Sequence, residues 1–222
     1  APPPSIEEHL RRDAVLEAIV LAATTLVSSS GTEEAIPAML ERLGRAVGVS
    51  SVVLDRCLTG SDGEIIAQAM ARWSDPGKPG RGEVGPPESE PARQLGLGPW
   101  LETLQRGDLI EGSPDDFPGP VGEKLRAWGV RAVLAVPIIM EKRLTGLLSL
   151  SEREGPRAWF PLEKDALRVY AGIMGSFLHR LESDRALRRS EERYRQVVEA
   201  SSGYIWETDA EGRITYCSDR VQ

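Results

Sequence analysis

Residues 130–140 read VRAVLAVPIIM, and the run is apolar at both parities. Side chains alternate between the two faces of a sheet along an extended chain. A strand apolar on both faces belongs at the centre of a sheet, covered on each side. The residues EKR (141–143) then turn the chain, and LTGLLSLSE (144–152) returns it, again mostly apolar. A second hairpin is legible upstream. SVVLDRCL (51–58) is strand-like, TGSDG (59–63) is a turn, and EIIAQAMARW (64–73) alternates. In that last stretch Ile65, Ala67, Ala69, Ala71 and Trp73 are expected on one face, with Glu64, Gln68 and Arg72 on a wet one. Two consecutive hairpins imply an antiparallel sheet.

Helical spacing accounts for much of the remainder. Residues 5–29 read as a long helix with Leu16, Ile19, Val20, Ala23, Leu26 and Val27 as its stripe. Thr32, followed by Glu33 and Glu34, reads as the start of a second helix striped by Ile36, Leu40, Leu43 and Val47. Pro37 falls in its first turn. WLETLQRG (100–107) is a short helix ending in Gly, DLIEG (108–112) a short strand, and residues 121–128 a helix stopped by Gly129. Residues 74–99 hold six Pro and six Gly and read as a long irregular loop, of the kind that is usually a functional cover or a disordered segment. Residues 161–200 read as one very long helix. Leu167, Tyr170, Met174, Phe177 and Leu181 keep the three-and-four spacing of a coiled-coil seam. Nine of the fourteen residues 182–195 are charged, which marks a solvated or interchain helix beyond the globular body. The expected architecture is α+β: a central antiparallel sheet of five to six strands with long N- and C-terminal helices packed on one face.

Composition excludes several function classes. A net charge of −7 argues against a phosphate-tracking surface, so no nucleic-acid partner is expected. Cys57 and Cys217 form no disulfide framework and fit a reducing compartment, which points to the cytoplasm. The longest apolar-looking run, AIVLAATTLV (18–27), is half of the ~20 residues a membrane helix needs, so no membrane segment is expected. With no signal segment and no initiator Met, the chain reads as a piece of something longer.

Motifs that could carry chemistry are few. GRGEVG (80–85) matches G-x-G-x-x-G, but a phosphate cradle needs a strand before it and a helix opening after it. Here WSDPGKP precedes and PPESEP follows, so a Gly-rich loop is the simpler reading. His9 and His179 are the only histidines, too few for a haem or zinc site without further ligands nearby. Asp115–Asp116 and Glu33–Glu34 read as capping and solvation, because catalytic carboxylates need environments that separate their pKa values. No G-x-S-x-G and no P-loop occur. The sequence names no catalytic, cofactor-binding or metal-ligating residue, and no cofactor is expected.

The element order, with LRAWGVRAVLAVPIIMEKRLTGLLSL (125–150) before the exit helix, resembles a GAF domain. The likeness is to those of bacterial sensor histidine kinases and diguanylate cyclases. It rests on a short helix ending in Gly, the apolar-Pro-apolar step AVPI, and the return strand TGLLSL. WLETLQRGDLIEG (100–112) and the helix from RAWFPLEKD onward also match, and the likeness covers residues 5–183. It implies a sensory module without catalysis, with a ligand pocket on the sheet face under the Pro/Gly loop. It also implies a homodimer through the N-terminal helix and Leu167, Tyr170, Met174, Phe177 and Leu181. The alternative is a ligand-free dimerisation scaffold that only couples its neighbours. The parent would be a histidine kinase before a cyclase, yet neither the Asn of a kinase ATP site nor the cyclase Gly-Gly-Asp/Glu-Glu-Phe signature is here. The Asn-Lys-Phe-Asp-Glu motif of cyclic-nucleotide relatives is also missing, since the chain contains no Asn. Some relatives attach bilins through a Cys-His pair late in the domain. Cys57 lies on the first strand with no His beside it and reads as a small buried residue.

Residues 187–220, LRRSEERYRQVVEASSGYIWETDAEGRITYCSDR, resemble the entry to a PAS domain: lead-in helix, strand, DAEG turn, strand. The expected organisation is a signalling helix (1–30), a GAF-like sensory core (31–160), an exit helix (161–200) and the truncated start of a PAS domain (201–222).

Overall fold

The computed structural model describes residues 6–28, 33–60, 63–78, 90–94, 96–200 and 206–217. The chain divides into two units, residues 1–179 and 180–222. The first is built on a six-stranded antiparallel sheet ordered β3-β2-β1-β6-β5-β4. Its strands are β1 (Ser51–Thr59), β2 (Ile65–Ser74), β3 (Glu90–Pro91), β4 (Ile110–Gly112), β5 (Ala132–Met140) and β6 (Arg143–Glu152). The helices are α1 (Ile6–Ser28), α2 (Ala35–Val47), α3 (Gly98–Gln105), α4 (Pro120–Ala127) and α5 (Pro161–Ala200), the last running on into the second unit.

The doubly apolar run takes the place its composition requires. β5 lies between β4 and β6, and Val133, Leu134, Ala135 and Val136 are all buried. Its two-residue turn holds Glu141 and Lys142 at φ 49° and 64°, the left-handed pair that suits the twist of a hairpin. Leu134, Val136 and Ile138 align with Leu148, Leu150, Val52 and Leu54 on one face. That face receives α2 and α5. Gly175 of α5 sits against Ile138, Lys164 reaches Glu111 of β4 at 2.7 Å, and the Tyr170 hydroxyl donates to the Met39 carbonyl of α2 at 3.0 Å. Val53, Val133, Ala135 and Leu147 form the other face, under Trp100 and Leu104 of α3 and Val121 and Leu125 of α4. So the sheet carries a layer on each side, with α2 and the long α5 on one of them, while the long N-terminal helix α1 packs against α2.

Two expectations are corrected. β2 does not alternate as its sequence reads. Leu54 pairs with Ala71 but Asp55 pairs with Ala69, so Met70 is an extra residue in the ladder. A bulge of one residue inverts the parity of everything beyond it. Ala71 and Trp73 therefore lie on the helical face, opposite Ile65, Ala67 and Ala69, while Arg72 joins the second face. No wet face results; Gln68 and Arg72 are half-buried. The second correction concerns the seam of α5. Leu167, Tyr170, Met174, Phe177 and Leu181 are each 5% exposed or less within a single chain. An apolar stripe at this spacing looks the same whether a partner helix or the chain's own sheet covers it. On α1, Val15, Ala18 and Ile19 are buried, whereas Leu16 and Val20 of the expected stripe are exposed, together with Ile6 and Leu10. The side chains of Ala23, Leu26 and Val27 and the start at Thr32 lie outside the described residues.

In the second unit α5 is exposed over residues 182–196, as its charge density requires. β7 (Trp206–Thr208) and β8 (Ile214–Cys217) form a separate two-stranded sheet. Asp209 holds its turn, accepting from the backbone N–H groups of Glu211 and Arg213 at 3.0 and 2.9 Å.

One close approach fixes how α2 meets the sheet. A Cβ added at Gly44 would lie 2.0 Å from a ring carbon of Trp73. Gly44→Ala should therefore lower the urea midpoint, an overpacking cost of about 1–3 kcal/mol. In a Trp73→Ala background the same change should raise it by about 1 kcal/mol, the ordinary helix gain of Ala over Gly. Urea unfolding of the four chains checks both signs.

Candidate functional site

The second sheet face is filled over one half and sparsely furnished over the other. Above β4, β5 and β6, the rings of Trp100 and Phe117 meet edge to face at 4.9 Å, and Leu97, Ile110, Trp128 and Leu144 pack around them. Above β1 and β2 the same face carries Val53, Asp55, Cys57, Ile65, Ala67, Ala69 and Arg72, of which Val53 belongs to the core cluster. Around Asp55 itself, Cys57, Ala67 and Ala69 are small. Asp55 sits at the border, paired with Ala69 on one side and with Leu147 of the filled half on the other. The Pro/Gly segment returns along the outer edge of β2. Glu90 and Pro91 pair with Ala67 and Ile66, and the N–H of buried Ala92 donates to Ile65 at 2.8 Å. The GRGEVG stretch lies outside the described residues.

Asp55 is the unusual group here. It is 7% exposed, and among the described residues no hydrogen-bond donor reaches its Oδ1. Burial pushes its carboxyl up to about 6, against the opposing pull of the Arg72 guanidinium. Burial also drives the Cys57 thiol up to about 12, with the Asp55 charge adding to the effect. A thiol held protonated is a poor nucleophile. Sequence reasoning missed Asp55 and Arg72. The available signal was a carboxylate interrupting the apolar strand SVVLDRCL.

Glu152 holds Lys78, the last described residue before the Pro/Gly stretch. Its carboxylate accepts from the Ser50 hydroxyl, from Lys78 Nζ at 2.9 Å, and from the N–H groups of Arg153 and Glu154 at 2.8 and 3.1 Å. Burial alone would raise this carboxyl, but the hydrogen bonds from Ser50, Lys78 and the backbone win and hold it at about 2. Lys78 also donates to the Gly48 carbonyl at 2.9 Å.

The residues weighed in the sequence fall elsewhere. Asp115 pairs with Arg126 at 2.7 Å, and Asp116 accepts from the N–H and hydroxyl of Ser113 at 2.7 and 2.8 Å, capping a 3₁₀ turn. Those two hydrogen bonds hold the Asp116 carboxyl below its usual range. The Glu33 carbonyl accepts from Ile36 N–H at 3.0 Å, and Glu34 precedes α2 without a side-chain capping bond. His9 is half-buried on α1 and His179 exposed on α5. Among the described residues no cluster of three His, Cys, Asp or Glu could hold a metal ion, and no helix is long and apolar enough to cross a membrane.

A family model for the GAF domain matches residues 31–176. The chain belongs to the GAF family. The chain is similar to the methanogenesis regulatory histidine kinase FilI of Methanothrix harundinacea (strain 6Ac), at 30% identity over 173 residues. That match takes in 76% of this chain and 19% of the kinase, so the chain spans about a fifth of that relative's length. Among solved structures, the phycoerythrobilin-bound GAF domain of a cyanobacterial phytochrome superposes with a TM-score of 0.64 at 16% identity, covering 77% of this chain and 97% of that one. The chromophore-binding domain of the Stigmatella aurantiaca bacteriophytochrome gives 0.61 at 17% identity, covering 80% and 64%. The blue-light-absorbing PixJ GAF domain of Thermosynechococcus elongatus gives 0.55 at 19%, covering 72% and 92%. These likenesses show the fold.

Two carboxylates of this GAF domain should titrate with opposite effects on stability. Asp55 keeps its proton to about pH 6 when folded and loses it near 3.8 when unfolded, so its contribution falls as pH rises through that window. Glu152 has the reverse sign: its contribution is present above 4.5 and is lost as pH falls toward about 2. Asp55→Asn removes the first effect. Its melting-temperature advantage over the wild type should grow between about pH 4 and 6 and level off above that. Thermal unfolding across the range checks this; an advantage independent of pH would contradict it.

Proposed function

We propose that the chain is the sensory, non-catalytic module of a histidine kinase-type signalling protein, binding a small ligand on its second sheet face. One observation carries the reading: the buried Asp55 Oδ1, without a hydrogen-bond partner among the described residues, lies on the β1–β2 end of that face beside Cys57, Ala67 and Ala69. Membership of the GAF family and similarity to a regulatory histidine kinase support the setting. The route to an output is short. Ala135 of β5 lies on the ligand-side face, and its neighbours Val136 and Ile138 meet the helical layer, Ile138 touching Gly175 of α5. A ligand that displaces the sheet therefore biases the exit helix, which continues to Ala200. The hairpin β7–β8 with its Asp209 turn fits the opening of a downstream PAS domain, and the module works in the cytoplasm.

A thermal-shift screen of nucleotides, tetrapyrroles and small metabolites tests the reading. A ligand at 100 times its dissociation constant adds about 2.7 kcal/mol to stability, and Asp55→Val should suppress the shift. The second reading, a ligand-free scaffold, is favoured by the apolar plug of Trp100, Leu104 and Phe117 over β4, β5 and β6. A screen without a shift would support it.

Both readings invoke a homodimer. With the α5 seam buried, the exposed apolar side chains Ile6, Leu10, Leu16 and Val20 of α1 become the proposed contact. Light scattering should give a dimer for the wild type at tens of micromolar and a monomer for Leu10→Glu with Val20→Glu, with both chains folded.

A further inference from the structure

Three carboxylates are buried among the described residues: Asp55, Glu152 and Glu163. Glu152 is held by Ser50, Lys78 and two backbone N–H groups, and Glu163 by Arg157 at 2.6 Å. Asp55 differs, because its Oδ1 has no donor among the described residues. A buried acceptor without a partner carries the full cost of leaving water, so a fold that retains one leaves a bond for something else to complete.

The surroundings narrow what that is. Ala67, Ala69, Leu147 and Val53 offer no side-chain donor, and the Cys57 thiol is a weak one. The bulge at Leu54–Asp55 puts Arg72 on this face, where its charge acts on the Asp55 carboxyl. A full cation would meet that charge as well, so a neutral donor is the better complement. The walls around Asp55 are aliphatic and border the Trp100–Phe117 cluster.

We infer that Asp55 is the recognition group for a small ligand presenting a neutral N–H or O–H donor on a compact apolar body. The inference rests on the reading of this face as a ligand site. It makes Asp55 a binding residue held at the expense of stability.

The test uses the full chain and three probes: indole, 1-methylindole and benzamidinium, with binding read by ligand-observed NMR titration. Indole should bind, and 1-methylindole about tenfold or more weakly, the loss of one charge-assisted hydrogen bond. Benzamidinium should bind more weakly than indole. Asp55→Val should abolish the preference for indole and raise the melting temperature of the unliganded chain. Asp55→Asn, which keeps an acceptor, should retain part of the preference. Equal binding of indole and its N-methyl form would overturn the inference while leaving a ligand site in place. A lower melting temperature for both variants would overturn it by giving Asp55 a structural role. Silence from all three probes would overturn the inference and the ligand-site reading together.

Discussion

A sheet that is apolar on both faces cannot be stable with only one of them covered. Every layer of the first unit follows from that. Burial of apolar surface contributes roughly 25 cal/mol per Å², and β5 and β6 offer it on both sides. The long helices α2 and α5 cover one face, while the short helices α3 and α4 cover part of the other. Short helices cannot span six strands, and of the β1–β2 end of the second face the described core cluster takes in only Val53. The candidate site exists because the second layer is shorter than the sheet.

Polar clamps join these layers where the chain passes between them. Arg157 pairs with Glu163, donates to the Val47 carbonyl at the end of α2 at 2.9 Å, and stacks over Trp159 at 4.5 Å. Glu163 also accepts from Phe160 N–H, closing the first turn of α5. Arg11 of α1 lies 5.0 Å over the Phe160 ring. So α1, α2 and the start of α5 meet at one buried ion pair. A buried pair of this kind gives little net stability against an apolar substitute, but losing one member leaves the other charge stranded. Its value here is registration: it fixes where the exit helix begins relative to the sheet. Glu152 does the same for the start of β1 and the root of the loop. Asp55 stands apart from both because nothing among the described residues completes its Oδ1.

Much of this was legible in advance. The two hairpins, the order of the helices, the central place of β5 and the 40-residue α5 follow from periodicity and from Gly and Pro punctuation. The site was not. Asp55 was visible as a carboxylate in an apolar strand, but Arg72 was assigned to the wrong face because one bulged residue inverts the alternation. A bulge depends on the neighbouring strand, and the local sequence of β2 carries no mark of it.

The sequence by itself determined which segments extend, which coil, and which residues must leave water, because those depend on side-chain spacing along one chain. It could not determine what covers them. Leu167, Tyr170, Met174, Phe177 and Leu181 have the spacing of an interchain seam, yet each is buried within the single chain, where the Tyr170 hydroxyl donates to the Met39 carbonyl of α2. Leu16 and Val20, equally apolar, remain outside. Apolar burial is non-directional: it requires a cover but does not name one. Only the tertiary structure, where strands pair in a definite register and two layers compete for two faces, decided which stripe became core, which stayed exposed, and which carboxylate was left without a partner.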